Sequence, residues 1–448
     1  FGEKKAGAVR RYFYDLLASY LSLYVRPEDM LLEINPLSEG LGERFANYRA
    51  ISDVASLKPL DPPIPDYILL NGTIHYERDV QEMLDELAEA VQGPERILFV
   101  YYSMLWKPLA RLASRMHWRT RTPEPNWIAH QDLENFCYLA GFEVIRHDLK
   151  LLCPIPIPLL ANFLNQYIAP LPFFRLFTML NIVIARPTKS PAHPRSSVSV
   201  IVPARNETGN IDNILARCPM MGPEDEIVLV EGNSTDDTWA KIQAAARTYQ
   251  GPHRLIIAQQ KGKGKGDAVR VGFELAKNDI LMILDADLTT PPEELPKFYA
   301  AIARNKAEFV NGSRLIYPME KEAMRFLNIL GNKFFAAAFS FVLGQRFKDT
   351  LCGTKALSRA HYQRLAAARN FFGEFDPFGD FDLLFGAARM GLKIVDVPVH
   401  YRERQYGTTN IQRWRHGLLL LRMLVFAAGR LKFLGSETLH ARSCPAKH

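Results

Sequence analysis

The sequence predicts an α/β protein built from two Rossmann-like sheets, the second followed by amphipathic helices. Three observations carry this prediction. Short apolar runs alternate with helix-periodic segments in both halves of the 448-residue chain. A stretch rich in Pro, Ser and basic residues, 187–197, interrupts that alternation. In the second half, Ile280-Leu281-Met282-Ile283-Leu284 runs straight into Asp285-Ala286-Asp287. Such an apolar run reads as a strand buried on both faces, and open α/β sheets bind ligands at the carboxyl ends of their strands. Two acids so placed can share one hard divalent cation with a phosphate group. Taken alone, the pattern also fits a polar turn.

Composition bounds the answer. Hydrophobic content of 48% and charged content of 23% describe a globular chain. The net charge of +7 favours anionic partners such as phosphates, nucleotides or lipid headgroups, and no nucleic-acid partner is expected. Cys137, Cys153, Cys218, Cys352 and Cys444 are odd in number and form no Cys-x-x-Cys pair, which predicts free thiols and no zinc site. No secretory signal and no membrane span are expected. Leu151 to Phe174 lacks charge but is broken by Pro154, Pro156, Pro158, Pro170 and Pro172. It reads as buried irregular structure, with membrane-surface contact as the alternative.

The predicted organisation is a first domain over 1–186, a linker over 187–197, a second domain over 198–434 and a tail over 435–448. In the first domain a helix is expected around Tyr12 to Leu23, and strands at Met30–Ile34, Asp66–Asn71, Arg96–Val100, Ala140–Ile145 and Asn181–Ala185. Val80 to Val91 carries Met83, Leu84, Leu87 and Ala88 at helical spacing and stops at Gly93-Pro94. This order resembles the S-adenosylmethionine-dependent methyltransferase fold. The stretches that carry the likeness are Leu32-Glu33-Ile34-Asn35, Asp66-Tyr67-Ile68-Leu69, Ile74-His75-Tyr76 and Ala140-Gly141-Phe142. Where that family has glycines after the first acid, this chain has Asn35, Leu37 and Glu39. The stretch from Glu33 to Asp53 is too short for all the elements the family places there. The expectation is a degenerate domain that no longer methylates, does not use S-adenosylmethionine, and serves for scaffolding, docking or regulation. His75 is expected to pack at a strand end.

In the second domain, strands are expected at Val198–Pro203, Glu226–Glu231 and Leu255–Ile257, with the Asp-x-Asp strand fourth. Helices are expected from Asn210 to Ala216, from near Trp239, and through Phe273. Thr290-Pro291-Pro292-Glu293 reads as a capping-box helix start. Lys261 to Ala268 alternates Lys with Gly ahead of a helix, which suits a phosphate-binding loop or a solvated basic loop; the spacing is not that of a Walker A loop.

Seven stretches of this domain occur in the order seen in inverting family 2 glycosyltransferases of the GT-A fold, and the domain most resembles their dolichyl- or polyprenyl-phosphate hexose synthases. They are Val200 to Glu207, Val230 to Thr238, Gly264 to Ala268, Leu284 to Leu288, Asn311 to Arg314, Asp349 to Lys355, and Val397-Pro398-Val399 with Arg404 to Asn410. The resemblance implies a doubly wound sheet and position-by-position roles. Pro203, Arg205, Glu207 and Glu231 would line the nucleoside pocket, and Lys265 and Asp267 would sit near the donor. Asp285 and Asp287 would hold Mg²⁺ or Mn²⁺ against the diphosphate, and Arg314, Arg402 and Arg404 would neutralise phosphate charge. Two positions depart from the family: Gly232 replaces the second of two adjacent acids, and Asn410 replaces a Lys.

The implied donor is a GDP- or UDP-hexose and the implied acceptor a dolichyl or undecaprenyl phosphate. A saccharide hydroxyl is the alternative acceptor and would need a general base, for which Asp380 is the candidate. A bifunctional methyltransferase-glycosyltransferase is a further alternative. Glu322 to Leu343 and Arg413 to Leu434 read as basic amphipathic helices, suited to a membrane surface or to ordinary core packing. The expected location is the cytoplasmic face of a membrane, as a peripheral protein.

Overall fold

In the first half of the chain, successive strand residues point alternately into two different cores. In the second, Val200, Val202, Ile280 and Met282 enter one core, while the alternating Ile201, Leu281 and Ile283 are also buried, so each sheet is covered on both faces. The computed structural model describes residues 2–37, 39–57, 64–91, 93–115, 126–188, 195–317, 326–368, 381–404, 406 and 413–433. The chain divides into two units: residues 1–190 with 426–448, and residues 191–425.

The first unit contains β1 (Leu31–Ile34), β2 (Tyr48–Ile51), β3 (Tyr67–Asn71), β4 (Arg96–Tyr102), β5 (Phe142–Lys150) and β6 (Leu180–Pro187) in the order β2-β1-β3-β4-β6-β5. The first four are mutually parallel, and β6 runs antiparallel to both its neighbours. Its helices are α1 (Gly2–Leu21), the single turn α2 (Thr73–Tyr76), α3 (Val80–Ala90), α4 (Lys107–Arg115), α5 (His130–Ala140) and the single turn α6 (Leu160–Phe163). Leu32, Ile34, Ile68, Leu70, Ile97 and Phe99 face one core, which α3 and α5 close with Met83, Leu87, Leu133 and Cys137. Leu31, Leu69, Leu98 and Val100 face the other, closed by Leu16, Leu17, Tyr20 and Leu21 of α1.

Two findings depart from the sequence reading of this unit, and His75 packs as expected although in the turn that follows the strand. The stretch from Glu33 to Asp53 does hold a second strand, β2, paired in parallel with β1. His75 lies in a helical turn after β3 and is fully buried: its Nδ1–H donates to Asn126 O at 2.7 Å, and its Nε2 accepts the Tyr102 N–H at 2.9 Å. The stretch Leu151–Phe174 is irregular but not buried, since Leu159 is 88% and Phe173 66% exposed.

On β5 the alternating residues Arg146, Asp148 and Lys150 are all buried and charged. Asp148 accepts from Tyr24 Oη (2.6 Å), Arg146 Nε (2.6 Å) and Lys432 Nζ (2.5 Å). The last turn of the C-terminal helix belongs to this unit and ends here, with Arg146 Nη2 donating to Leu431 O and Lys150 Nζ to Lys432 O.

The second unit contains β7 (Val198–Ala204), β8 (Glu226–Glu231), β9 (Arg254–Gln259), β10 (Ile280–Ile283), β11 (Phe309–Ser313), β12 (Lys355–Ser358) and β13 (Ile394–Pro398), in the order β13-β11-β12-β10-β7-β8-β9. Only β12 is antiparallel, lying between β10 and β11. The helices are α7 (Ile211–Arg217), α8 (Thr238–Thr248), α9 (Lys265–Leu275), α10 (Leu295–Ala303), α11 (Phe326–Leu343), α12 (Arg359–Ala367), α13 (Phe381–Arg389) and α14 (Arg413–Leu431), whose final turn lies in the first unit. The capping box expected at Thr290 does not form. A turn of 3-10 helix over Pro292–Glu294 comes first, capped by Pro291 without a side-chain bond, and α10 starts after it.

Candidate functional site

The crevice of the second unit follows from its strand order. From β7 the chain proceeds to β8 and β9 on one side, then returns to β10 on the other. Neighbouring parallel strands whose connections diverge open a crevice at their carboxyl ends. The exits of β7, β8 and β10 carry Asn206, Asn233 and Leu288, with φ of +56°, +57° and +56°. Left-handed backbone is costly for Leu, and such residues cluster where a scaffold holds functional groups.

Asp285 and Asp287 follow β10 directly, partly exposed at 28% and 16%. Each is held by one long basic side chain. Lys265 starts α9 after Gly264, whose φ of +86° turns the Lys-Gly loop into the helix, and its Nζ lies 2.7 Å from Asp285 Oδ1. Burial pushes the Asp285 carboxyl up, but Lys265 beside it, with Arg314 and Lys355, more than offsets this and holds it below the usual aspartate range. Arg404 forks across the crevice, with Nη2 2.6 Å from Asp287 Oδ2 and Nη1 2.8 Å from Glu207 Oε1 at the exit of β7. Asp287 also accepts from the Thr289 hydroxyl and N–H.

Glu207 is buried and accepts from Asn210 Nδ2 at 2.7 Å. Burial pushes its carboxyl up to about 7, with Arg404 and Asn210 opposing the rise. The raised value sets the sign of its pH dependence. Its contribution to stability is complete below the ordinary glutamate value of 4.5 and is lost as pH rises through about 7. Glu207→Gln, which cannot ionise, is therefore expected to gain stability relative to the parent from about pH 5 to about pH 8, by on the order of 3 kcal/mol. Thermal melts at both pH values check this, and a pH-independent difference would contradict it.

Behind Asp285 lies a second set of charges. Lys355 is fully buried on β12, its Nζ donating to Asn311 Oδ1 (2.9 Å) and Cys352 O (2.7 Å). Arg314 forks onto buried Asp349 at 2.6 and 2.9 Å and stacks over Tyr401. Burial alone would raise Asp349, but Arg314 and Asn332 hold it down at about 2. Gly353 makes room for the Asp285–Lys265 pair: a Cβ there would fall 2.1 Å from Asp285 Oδ2 and 2.3 Å from Lys265 Nζ.

The structure thus brings Asp285, Asp287, Lys265, Glu207 and Arg404 together, with Arg314 adjoining. Pro203 and exposed Arg205 lie at the end of β7. Glu231 ends β8, accepting from Ser234 N–H at 2.5 Å and Gln259 Nε2 at 2.9 Å. Asp267 accepts the Gly262 N–H and ties down the Lys-Gly loop. Arg402 is exposed and engaged through its backbone N–H with Thr289 O. Asp380 lies outside the described residues. Lys355, Asn311, Asp349 and Gly353 fell within recognised stretches, but nothing in the sequence singled them out.

Among the described residues no group of three or more His, Cys, Asp or Glu could hold a metal ion unaided. The donor set still fits a hard divalent cation, since two adjacent carboxylates leave coordination positions for phosphate oxygens and water.

Residues 199–366 match the family model for Glycosyl transferase family 2. Dolichol-phosphate mannosyltransferase from Pyrococcus furiosus is 31% identical over 221 residues, 48% of this chain and 59% of that protein. Undecaprenyl-phosphate 4-deoxy-4-formamido-L-arabinose transferase from Enterobacter sp. is 27% identical over 216 residues, 47% of this chain and 61% of that protein. The chain spans about three fifths of the length of these curated relatives. Among solved structures, glucosyl-3-phosphoglycerate synthase from Mycobacterium tuberculosis overlaps at a TM-score of 0.39 and 19% identity, covering 54% of this chain and 82% of that one. The sequence relation is the stronger one: the C-terminal half of the chain carries a glycosyl transferase family 2 domain.

Proposed function

We propose that the chain transfers a hexose from a GDP- or UDP-sugar to polyprenyl phosphate, with Mg²⁺ or Mn²⁺ held by Asp285 and Asp287. One observation carries this: each aspartate of the pair contacts one long base, Asp285 meeting Lys265 and Asp287 meeting Arg404, which it shares with Glu207. A divalent cation taking the two acids would free Lys265 and release Arg404 from one of its two carboxylates, and a diphosphate is the ligand that engages a divalent cation and two positive side chains at once. Both curated relatives bear a polyprenyl phosphate in their names.

The bound metal would neutralise charge on the departing nucleoside diphosphate. The chain's own residues do the rest. Lys265 and Arg404 turn from the acids to the phosphates, while Arg314 and Lys355 add fixed positive potential from beneath. Glu207 and Glu231, with Pro203 and Arg205, face the nucleoside, where carboxylates accept from ribose or base. Asp267 holds the loop that precedes Lys265, and Arg402 lies at the phosphate side. The acceptor phosphate oxygen attacks the anomeric carbon opposite the leaving diphosphate, so configuration inverts. A phosphate is already an anion and needs no base. A hydroxyl acceptor would need one, for which the candidate, Asp380, lies outside the described residues.

Gly353→Ala tests the close approach. The atoms a Cβ would strike are side-chain ends, so the fold should tolerate it, but the Asp285 carboxylate must move. Turnover is expected to fall roughly 10²-fold with little change in melting; unchanged turnover would contradict the placement.

Contact with a membrane is proposed to be peripheral, at the cytoplasmic face. Among the described residues no helix is long and apolar enough to cross a membrane. Leu330 and Phe334 on α11, and Leu418, Leu421 and Val425 on α14, are exposed beside Lys333 and Arg422, as interfacial helices require. The first unit is proposed to be a methyltransferase-like sheet that does not methylate. Asn35 leaves β1 at φ +49°, and the recess there is lined by Asp53, Glu77, Asp79 and Glu82, which disfavours a ligand carboxylate. Titrating S-adenosylmethionine into the full chain should give no heat of binding, and tight binding would overturn this.

The function itself is tested by incubating the protein with Mg²⁺, polyprenyl phosphate, an oligosaccharide and one labelled nucleotide sugar at a time. One donor should label a charged glycolipid. Label on the oligosaccharide alone would refute the acceptor assignment.

A further inference from the structure

Two segments leave the six-stranded sheet of the first unit at the same end. β4 ends at Tyr102 and β5 at Lys150, and both residues pair with Leu180, the first residue of β6. Residues 103–115 therefore emerge where residues 151–179 depart and return. The segments are joined: Trp106 Nε1 donates to Phe177 O at 2.9 Å, and the Ser103 N–H to Met179 O at 2.7 Å.

Both display large apolar side chains to solvent. Leu105, Leu109 and Leu112 recur at helical spacing through the turn Met104–Trp106 and α4, with Leu105 61% exposed. Leu159, Phe173 and Leu176 do the same from the longer segment. This presentation is built in. Asn165, 1% exposed, accepts the N–H groups of Leu152 and Cys153 at 2.9 and 2.8 Å and donates to Cys153 O at 2.7 Å. An exposed apolar surface of this extent marks an interaction site.

Charge selects the partner. Neither 103–115 nor 151–179 contains an acid, while Lys107, Arg111 and Arg115 recur every fourth residue on α4 and Arg175 adds a fourth base. Two copies of this surface meeting face to face would oppose base to base. We propose that this end of the first unit docks on a bilayer bearing anionic headgroups, with Leu and Phe side chains entering the interface and the α4 bases meeting the headgroups. The proposal stands independently of the transferase reading and adds a surface distinct from α11 and α14.

Flotation of the full chain with phosphatidylcholine vesicles, with and without about one third phosphatidylglycerol, tests it. The parent should float with the anionic vesicles. Leu105→Asp/Leu109→Asp/Phe173→Asp should lower the bound fraction roughly tenfold or more, and Lys107→Gln/Arg111→Gln/Arg115→Gln should abolish the preference for phosphatidylglycerol. Because the basic variant leaves the apolar side chains in place, it keeps the proposal falsifiable should the first variant misfold. Transfer to a short, water-soluble prenyl phosphate should be unchanged in both, which separates failure of docking from failure of catalysis. The proposal is overturned if the parent does not float. It is also overturned if both variants float as the parent does while Leu418→Asp/Leu421→Asp does not, or if the parent sediments as a dimer that the Asp variant dissociates.

Discussion

Asp285→Asn and Asp287→Asn are each expected to lower metal-dependent hexose transfer by about 10²-fold or more while leaving the protein folded. The two carboxylates stand at the mouth of the β7–β10 crevice and are partly open to solvent, so losing either pairing should change stability by only about 1 kcal/mol. Their chemical weight is larger. Asp285 is held ionised by Lys265, Arg314 and Lys355, and an amide there would leave these bases facing an incoming cation with one negative charge fewer. Asp287→Asn frees Arg404 from one of its two carboxylate partners, leaving it on Glu207. The check is turnover alongside Mn²⁺ affinity and melting temperature. Retained turnover in either variant would remove that residue from the mechanism.

Asp148→Asn is expected to cost about 3–5 kcal/mol or more, the largest stability loss of any single substitution proposed for this chain. Asp148 is 1% exposed and is the carboxylate partner of both Arg146 and Lys432. Burial disfavours its charge, but Arg146, Lys432 and Lys150 hold it well below the ordinary aspartate range. Lys150 shows the opposite pull: burial pushes its amine down to about 7 in spite of Asp148. Replacing the acid leaves three buried bases without the charge that balances them. Arg146 and Lys150 also donate to the carbonyls of Leu431, the last residue of α14, and of Lys432 just beyond it, positions that no N–H further along a helix satisfies. The variant should therefore melt lower and be cleaved more readily after residue 425. The sign with pH follows. Asp148 contributes stability above the ordinary value of 3.8 that is lost as pH falls, so parent and variant should converge on acidification. An unshifted melting curve would show that the cluster is not what fixes this end of the chain.

The strands buried on both faces were the legible part of the fold, because an unbroken apolar run leaves few alternatives. Glu226–Glu231 and Ile280–Ile283 form as the sequence implied. β2 was not legible, because Tyr48-Arg49-Ala50-Ile51 is a short edge strand with little to bury. β12 escaped for a different reason: it starts with a buried Lys, and only its antiparallel seat between β10 and β11 supplies that Lys with Asn311 and the Cys352 carbonyl. The same long-range pairing hides the Arg314–Asp349 fork, whose partners lie 35 residues apart. Leu151–Phe174 misled in the other direction. Its composition suggests burial, yet apolar residues are not obliged to be inside, and here Leu159, Phe163 and Phe173 point to solvent. In the crevice, the positions of Asp285 and Asp287 were legible from the strand they end. Their pairing with Lys265 and Arg404 was not, since it depends on how α9 and the chain after β13 return to the same place.

The most direct test of hexosyl transfer at these acids is product analysis. The full chain is incubated with polyprenyl phosphate and the donor that labels best, with Mg²⁺ or with a chelator, and the lipid phase is examined by mass spectrometry and anomeric analysis. The expected product, formed only with Mg²⁺, is polyprenyl phosphate one hexose heavier, joined through its phosphate oxygen and inverted relative to the donor. Equal product in chelator, or a hexose with retained configuration, would contradict the account.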